Sequence, residues 1–98
     1  MFDVDVPVIG RHPVVVVSRQ EAIPVRTNVT VAIVTSSVAG HPAEVPLNSE
    51  AGLDHPSAAN CDELYTIPKR ALGRKRGELR LEEIRSLDLA LAIALGLG

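Results

Sequence analysis

Side chains able to move a proton or hold an anion gather in this chain at the ends of apolar runs. Arg11 and His12 stand directly before Pro13 and four valines, Thr35 and Ser36 close the run VTVAIVTS, and Asn60 and Asp62 lie within SAANCDELYTI. An imidazole exchanges a proton near neutrality, a guanidinium or hydroxyl stabilises a developing oxyanion, and a carboxylate acts as a base. Metal chemistry has less support. All three histidines, His12, His41 and His55, precede proline, and neither HxxxH nor CxxC spacing occurs. His41 and His55 read as loop residues. Cys61, the only cysteine, falls inside an expected strand, where a lone thiol is more often a small buried hydrophobe than a nucleophile. There is no GxxxxGK[ST] phosphate loop and no GxSxG elbow.

The elements that must hold these residues are mostly strands. Asp3 to Val6 alternates charge with valine, as a half-buried edge strand does, and Pro7 closes it. Val14 to Ser18 reads as a buried strand because consecutive β-branched residues favour an extended chain, and Pro13 extends His12 as well. That puts Arg11 and His12 at the mouth of the strand. Ser18 to Thr27 reads as a loop, Asn28 to Ser37 as a third strand, Glu44 to Leu47 as a short one and Asn48 to Pro56 as another loop. Ser57 to Ile67 is a further strand, Lys69 to Leu72 a helical turn ended by Gly73, and Gly77 to Leu79 a last strand. From Leu81, apolar residues recur at helical spacing through Ile84, Leu87, Leu91 and Leu95, with acids in the first turn and Gly96 as the stop. Leu89 and Ile93 form a second apolar stripe, for which core burial and a partner subunit are the two uses, core being favoured.

Ninety-eight residues, 46% of them hydrophobic, suit one domain over residues 1–98 with a single cleft. Phe2 and Tyr65 are the only aromatics, too few for a base-stacking platform. No signal peptide, membrane span or disulfide framework is legible, which points to the cytoplasm. Net charge is −2, yet Lys69, Arg70, Arg74, Lys75, Arg76 and Arg80 fall close together with Glu78 as the only acid among them. Such a run is either a solvated face or a patch for RNA phosphates or an acidic partner.

In order, GRHPVVVVS, VTVAIVTSSVAGHPAEVPL, SAANCDELYTIPKRALGRKRGEL and a closing helix ending ALGL resemble the MazF/PemK family of toxins. The resemblance covers Gly10 to Leu97 and implies an SH3-like antiparallel β-barrel with a C-terminal helix over about residues 81–95. It implies a homodimer and a cognate antitoxin. The activity it implies is a sequence-preferring endoribonuclease, needing no metal or other cofactor, that cleaves single-stranded mRNA. In that reaction the 2′-hydroxyl attacks the adjacent phosphorus, leaving a 2′,3′-cyclic phosphate and a 5′-hydroxyl. Members open with a basic-glycine-acidic turn and an aromatic-rich strand, of which only Phe2 to Asp5 remains here, so the first strand is expected to be truncated.

The resemblance also assigns site residues. Members place an arginine before the proline of the first motif and a threonine at the end of the third strand. Thr35 matches the threonine, with Ser36 beside it, whereas His12 occupies the arginine position and Arg11 precedes it. Alternation along a strand would turn Arg11 to the other face. Either His12 works in place of arginine, or catalysis is lost or weakened. Asp62 matches an aspartate some members use on a later strand, and Asn60 stands where their arginine would be. Lys69, Arg70, Arg74, Lys75 and Arg76 are candidates for binding RNA or an acidic antitoxin tail. The alternative functions are a degenerate toxin that only binds antitoxin, and a same-fold toxin with a protein target such as gyrase.

Overall fold

The computed structural model describes residues 1–18, 27–36, 38–47 and 56–97. Five strands form one antiparallel sheet: β1 (Phe2–Val6), β2 (Gly10–Val16), β3 (Asn28–Thr35), β4 (Glu44–Leu47) and β5 (Ser57–Pro68), in the order β1-β2-β3-β5-β4. A 3₁₀ turn, Lys69–Ala71, and one helix, α1 (Leu81–Ala94), complete the chain. The antiparallel β fold with a C-terminal helix expected from the sequence is the one adopted. The loops expected after Ser18 and after Leu47, His55 included, lie largely outside the described residues.

β2 starts earlier than its valines. Pro7 and Val8 occupy the centre of a turn closed by the Ile9 N–H donating to the Val6 carbonyl at 3.1 Å, and Gly10 follows at φ +84°. Gly10, in the left-handed region, then completes the reversal and starts β2. The hairpin pairs Val4 with His12 and Asp5 with Arg11. His12 and Arg11 therefore lie within a two-stranded arm rather than at a strand mouth, and both are exposed.

Each face of the sheet carries its own core. Val4, Val14, Val29, Val31, Ile33 and Ile67 fill one, against Phe2, Tyr65 and Leu72. On the other, α1 lays Leu87 and Ala90 over Val15, Val34, Val45, Leu47, Ala59 and Cys61. The expected last strand over Gly77 to Leu79 is absent. Instead residues 73–77 run along the free edge of β1: the Gly73 N–H donates to the Asp3 carbonyl (2.8 Å), the Asp3 N–H to Arg74 (2.9 Å) and the Arg76 N–H to Met1 (2.9 Å). A free strand edge needs such a partner, and the segment that supplies it starts four residues before the expected strand.

The line of burial along α1 runs through Glu83, Leu87 and Ala90, with Leu91 and Ala94 packed beside it. Leu81, Ile84 and Leu95 are exposed, as are Leu89 (68%) and Ile93 (55%), so the second stripe does not enter the core. The small side chains of Ala90 and Ala94 pack into the core over β4 and β5, which keeps that side of the helix near the sheet and leaves the larger residues of the other side outward. The Arg80 N–H donates to Glu83 Oε1 at 2.8 Å, which satisfies one N-terminal donor although arginine cannot accept in return. At the other end Gly96 adopts φ +70°. Its N–H donates to Ile93 and that of Leu97 to Ala92, the paired bonds of a Schellman stop.

Candidate active site

A cleft of about 150 Å³ opens on the face of the sheet that carries Val14 and Ile33, lined by Ile9, His12, Ile33, Thr35, Glu63 and Tyr65. Val14 pairs with Ile33, and two residues further along each strand on the same face come His12 and Thr35. The strand period of two thus brings together the two residues nominated from distant segments. Arg11 takes the other face of the hairpin arm, where its guanidinium lies 3.5 Å from Asp5, both side chains largely solvated. Ser36 follows β3 as an exposed bend and does not line the cleft.

A break in the β3–β5 register determines which residues of β5 reach this cleft. Ile33 pairs with Asn60 but its neighbour Ala32 pairs with Leu64, leaving Cys61, Asp62 and Glu63 as extra residues in β5. An odd insertion flips the side-chain parity on either side of it. Glu63 consequently joins Tyr65 in the cleft. Asp62 does not: its carboxylate lies 3.9 Å from His41 Nδ1. Asn60 spans the insertion, its Oδ1 accepting from the Asp62 N–H (3.0 Å) and its Nδ2 donating to Glu63 Oε1 (3.2 Å). Neither Glu63 nor Tyr65 was nominated from sequence. The only available signal was their spacing of two, which becomes informative once the insertion is known.

His41, expected as an inert loop residue, belongs to a polar cluster of its own. Glu44 accepts from the Gly40 and Ala39 N–H groups at 2.7 and 3.0 Å and lies 3.5 Å from His41 Nε2. Burial pushes the Glu44 carboxyl upward, but those two N–H groups and His41 outweigh it and hold the group below the usual carboxylate range. Cys61 is buried, and burial first and Asp62 second push its thiol up, so it is a poor nucleophile. Among the described residues no three His, Cys, Asp or Glu side chains are grouped to hold a metal ion.

The basic segment is divided. Lys69 and Arg70 lie on the 3₁₀ turn, and Arg74 to Arg76 run beside β1. Lys75 pairs with Glu78 at 2.6 Å, a bond that holds the Glu78 carboxyl below its ordinary value, and the half-buried Arg76 lies 3.6 Å from Asp3. Arg70 and Arg74 are exposed and make no ion pair among the described residues. No helix among those residues is long and apolar enough to cross a membrane.

Residues 4–95, nearly the whole chain, match the family described as PemK-like, MazF-like toxin of type II toxin-antitoxin system. Endoribonuclease MazF3 of Mycobacterium tuberculosis is 43% identical over 85 residues, spanning 87% of this chain and 79% of that protein. Among solved structures, Mycobacterium tuberculosis toxin MazF-mt6 superposes with a TM-score of 0.91 at 35% identity, covering 99% of this chain and 96% of that one. An endoribonuclease in complex with its cognate antitoxin, from a mycobacterial species, superposes with a TM-score of 0.89 at 26% identity, covering 99% and 91%. With the sheet order, the terminal helix and the His12–Thr35 cleft, these likenesses establish that the chain belongs to the PemK-like, MazF-like toxins of type II toxin–antitoxin systems.

Proposed function

We propose that this chain is the toxin of a toxin–antitoxin pair and a metal-independent endoribonuclease that cleaves single-stranded mRNA. The observation that carries the reading is the convergence of His12 from β2 and Thr35 from β3 on one cleft in a member of this family. Cleavage by the neighbouring 2′-hydroxyl needs a proton taken from that hydroxyl, stabilisation of the negative phosphorane and a proton for the leaving 5′-oxygen. Thr35 supplies a hydroxyl for the phosphorane oxygens, and His12 a group that exchanges protons. Arg70 and Arg74, exposed and without an ion pair among the described residues, suit RNA phosphates or an acidic antitoxin tail.

The antitoxin complex of the mycobacterial relative supports a cognate antitoxin as partner. The exposed leucines and isoleucines of α1 support a homodimer, and an mRNA substrate supports a cytoplasmic location. The test is incubation of purified protein with a long RNA in EDTA. Cleavage leaving 2′,3′-cyclic phosphate and 5′-hydroxyl ends is the expected outcome, and 5′-phosphate ends or dependence on a divalent ion would overturn the mechanism. A second reading, a toxin that only binds its antitoxin or a protein target such as gyrase, is favoured by one observation. Among the described residues no arginine or lysine lines the small cleft. Absence of cleavage alongside antitoxin binding would establish that reading.

A further inference from the structure

We propose that Glu63 is the general base of the cleavage, that His12 is the general acid, and that Asn60 is the residue that positions Glu63. The inference rests on the endoribonuclease reading and assigns the base, which that reading leaves open. Three adjacent strands line the cleft, with β3 and its Thr35 in the middle, β2 and His12 on one side, and β5 and Glu63 on the other. Strands lie about 4.8 Å apart, so the backbones of β2 and β5 are separated by roughly 10 Å. Side chains reaching in from both can flank a phosphate seated over Thr35.

In-line displacement demands such a flanking arrangement. The attacking 2′-oxygen and the leaving 5′-oxygen lie on opposite sides of phosphorus, so the base and the acid must also stand on opposite sides. Glu63 takes the 2′-hydroxyl proton, the 2′-oxygen forms its bond to phosphorus, the bond from phosphorus to the 5′-oxygen breaks, and the His12 imidazolium gives its proton to that oxygen. Water then removes the proton from Glu63 and restores the one on His12. A carboxylate suits the base because it is ionised across the range in which an imidazole still holds a proton.

Glu63 reaches the cleft only through the three-residue insertion in β5, and Asn60 ties that insertion at its middle and last residues, by the 3.0 Å bond to the Asp62 N–H and the 3.2 Å bond to Glu63 Oε1. One neutral amide thus fixes the backbone of the insertion and orients the carboxylate.

The experiment is the pH dependence of single-turnover cleavage of one RNA by the parent, Glu63→Gln, His12→Ala and Asn60→Asp. The parent rate should rise across the range where carboxylic acids ionise and fall across that of imidazoles. Glu63→Gln should lower the rate about 10²- to 10⁴-fold, the usual scale of a general base, and lose the rising limb. His12→Ala should lose the falling limb. Asn60→Asp keeps the acceptor for Asp62 but sets a second carboxylate beside Glu63, so the rising limb should move to higher pH. Thermal melts establish that each variant is folded. If the parent cleaves and Glu63→Gln matches it in rate and profile, the assignment of the base fails while the endoribonuclease reading stands. A parent that cleaves no RNA at any pH overturns both.

Discussion

Asp62 and Glu63 are consecutive residues whose carboxylates serve different neighbourhoods, Asp62 lying 3.9 Å from His41 and Glu63 lining the cleft with His12 and Thr35. The register break in β5 separates them. Asp62→Ala should therefore lower RNA cleavage by less than about tenfold, against the larger loss expected for a proton-transfer residue. A loss at Asp62 equal to that at Glu63 would show that the carboxylate facing His41 also reaches the substrate.

Thr35 ends β3 and lines the cleft, where the proposed mechanism sets its hydroxyl against the charge that develops on the phosphorane oxygens. Thr35→Ala should lower the cleavage rate about 10²- to 10³-fold, the scale of one lost oxyanion donor, with an unchanged melting midpoint. An unchanged rate would remove Thr35 from the site. Unfolding on the same change would give it a structural role instead.

His12 and its neighbour Arg11 leave the hairpin arm on opposite faces, and His12 alone of the two lines the cleft with Thr35, which favours the imidazole over the guanidinium beside Asp5 as the group that serves the proposed site. His12→Arg should retain more activity than His12→Ala, because it restores to the cleft the positive charge that helps stabilise a phosphorane. Neither should show the falling limb of the parent. If His12→Ala cleaves at the parent rate with the parent profile, Arg11 becomes the candidate for the charged group, and Arg11→Ala decides it.

The strands were legible from the sequence because β-branched runs bounded by proline and glycine leave little else for the chain to do, and Val14 to Val16 and Val29 to Val34 form as expected. His12 and Thr35 stood out in the sequence only as polar residues at strand ends, and the resemblance to the MazF/PemK family is what joined them in one site; the structure sets both on one cleft. Glu63 was not legible, because three extra residues in β5 reverse the parity that a regular strand would give. No local pattern in NCDEL marks that insertion. The buried line of the helix departs from the one that leucine and isoleucine spacing predicts because Ala90 and Ala94 share the core with Leu87 and Leu91, while Leu81, Ile84 and Leu95 stay exposed.

The two classes of apolar residue on α1 separate under mutation. Leu87 is 7% exposed within the core beneath the helix, so Leu87→Ala should destabilise the fold by about 2–5 kcal/mol in urea titrations. Leu89 and Ile93 are more than half exposed and support a partner surface instead. The parent should sediment as a dimer of its 10.4 kDa chain at micromolar concentration, and the Leu89→Lys, Ile93→Lys double variant as a folded monomer. A parent that sediments as a monomer overturns the dimer, and a double variant that remains dimeric moves the interface off this helix.

Glu44 links the residues before β4 to pH. Its side chain is 3% exposed, and the Ala39 and Gly40 N–H groups donate to it. Burial alone would raise its pKa, but those donors and His41 bring the folded value below the ordinary one. A carboxyl with a depressed folded pKa stabilises the protein above its unfolded value, and that contribution is lost as pH falls through the folded value. Glu44→Gln keeps a carbonyl acceptor but no charge, so its melting midpoint should lie below that of the parent at neutral pH. The gap should shrink in acid as the parent carboxyl protonates. Thermal melts of both proteins from neutral to strongly acidic pH check this, and a gap that stays constant would mean that the hydrogen bonds to Gly40 and Ala39 do not depend on the ionised form.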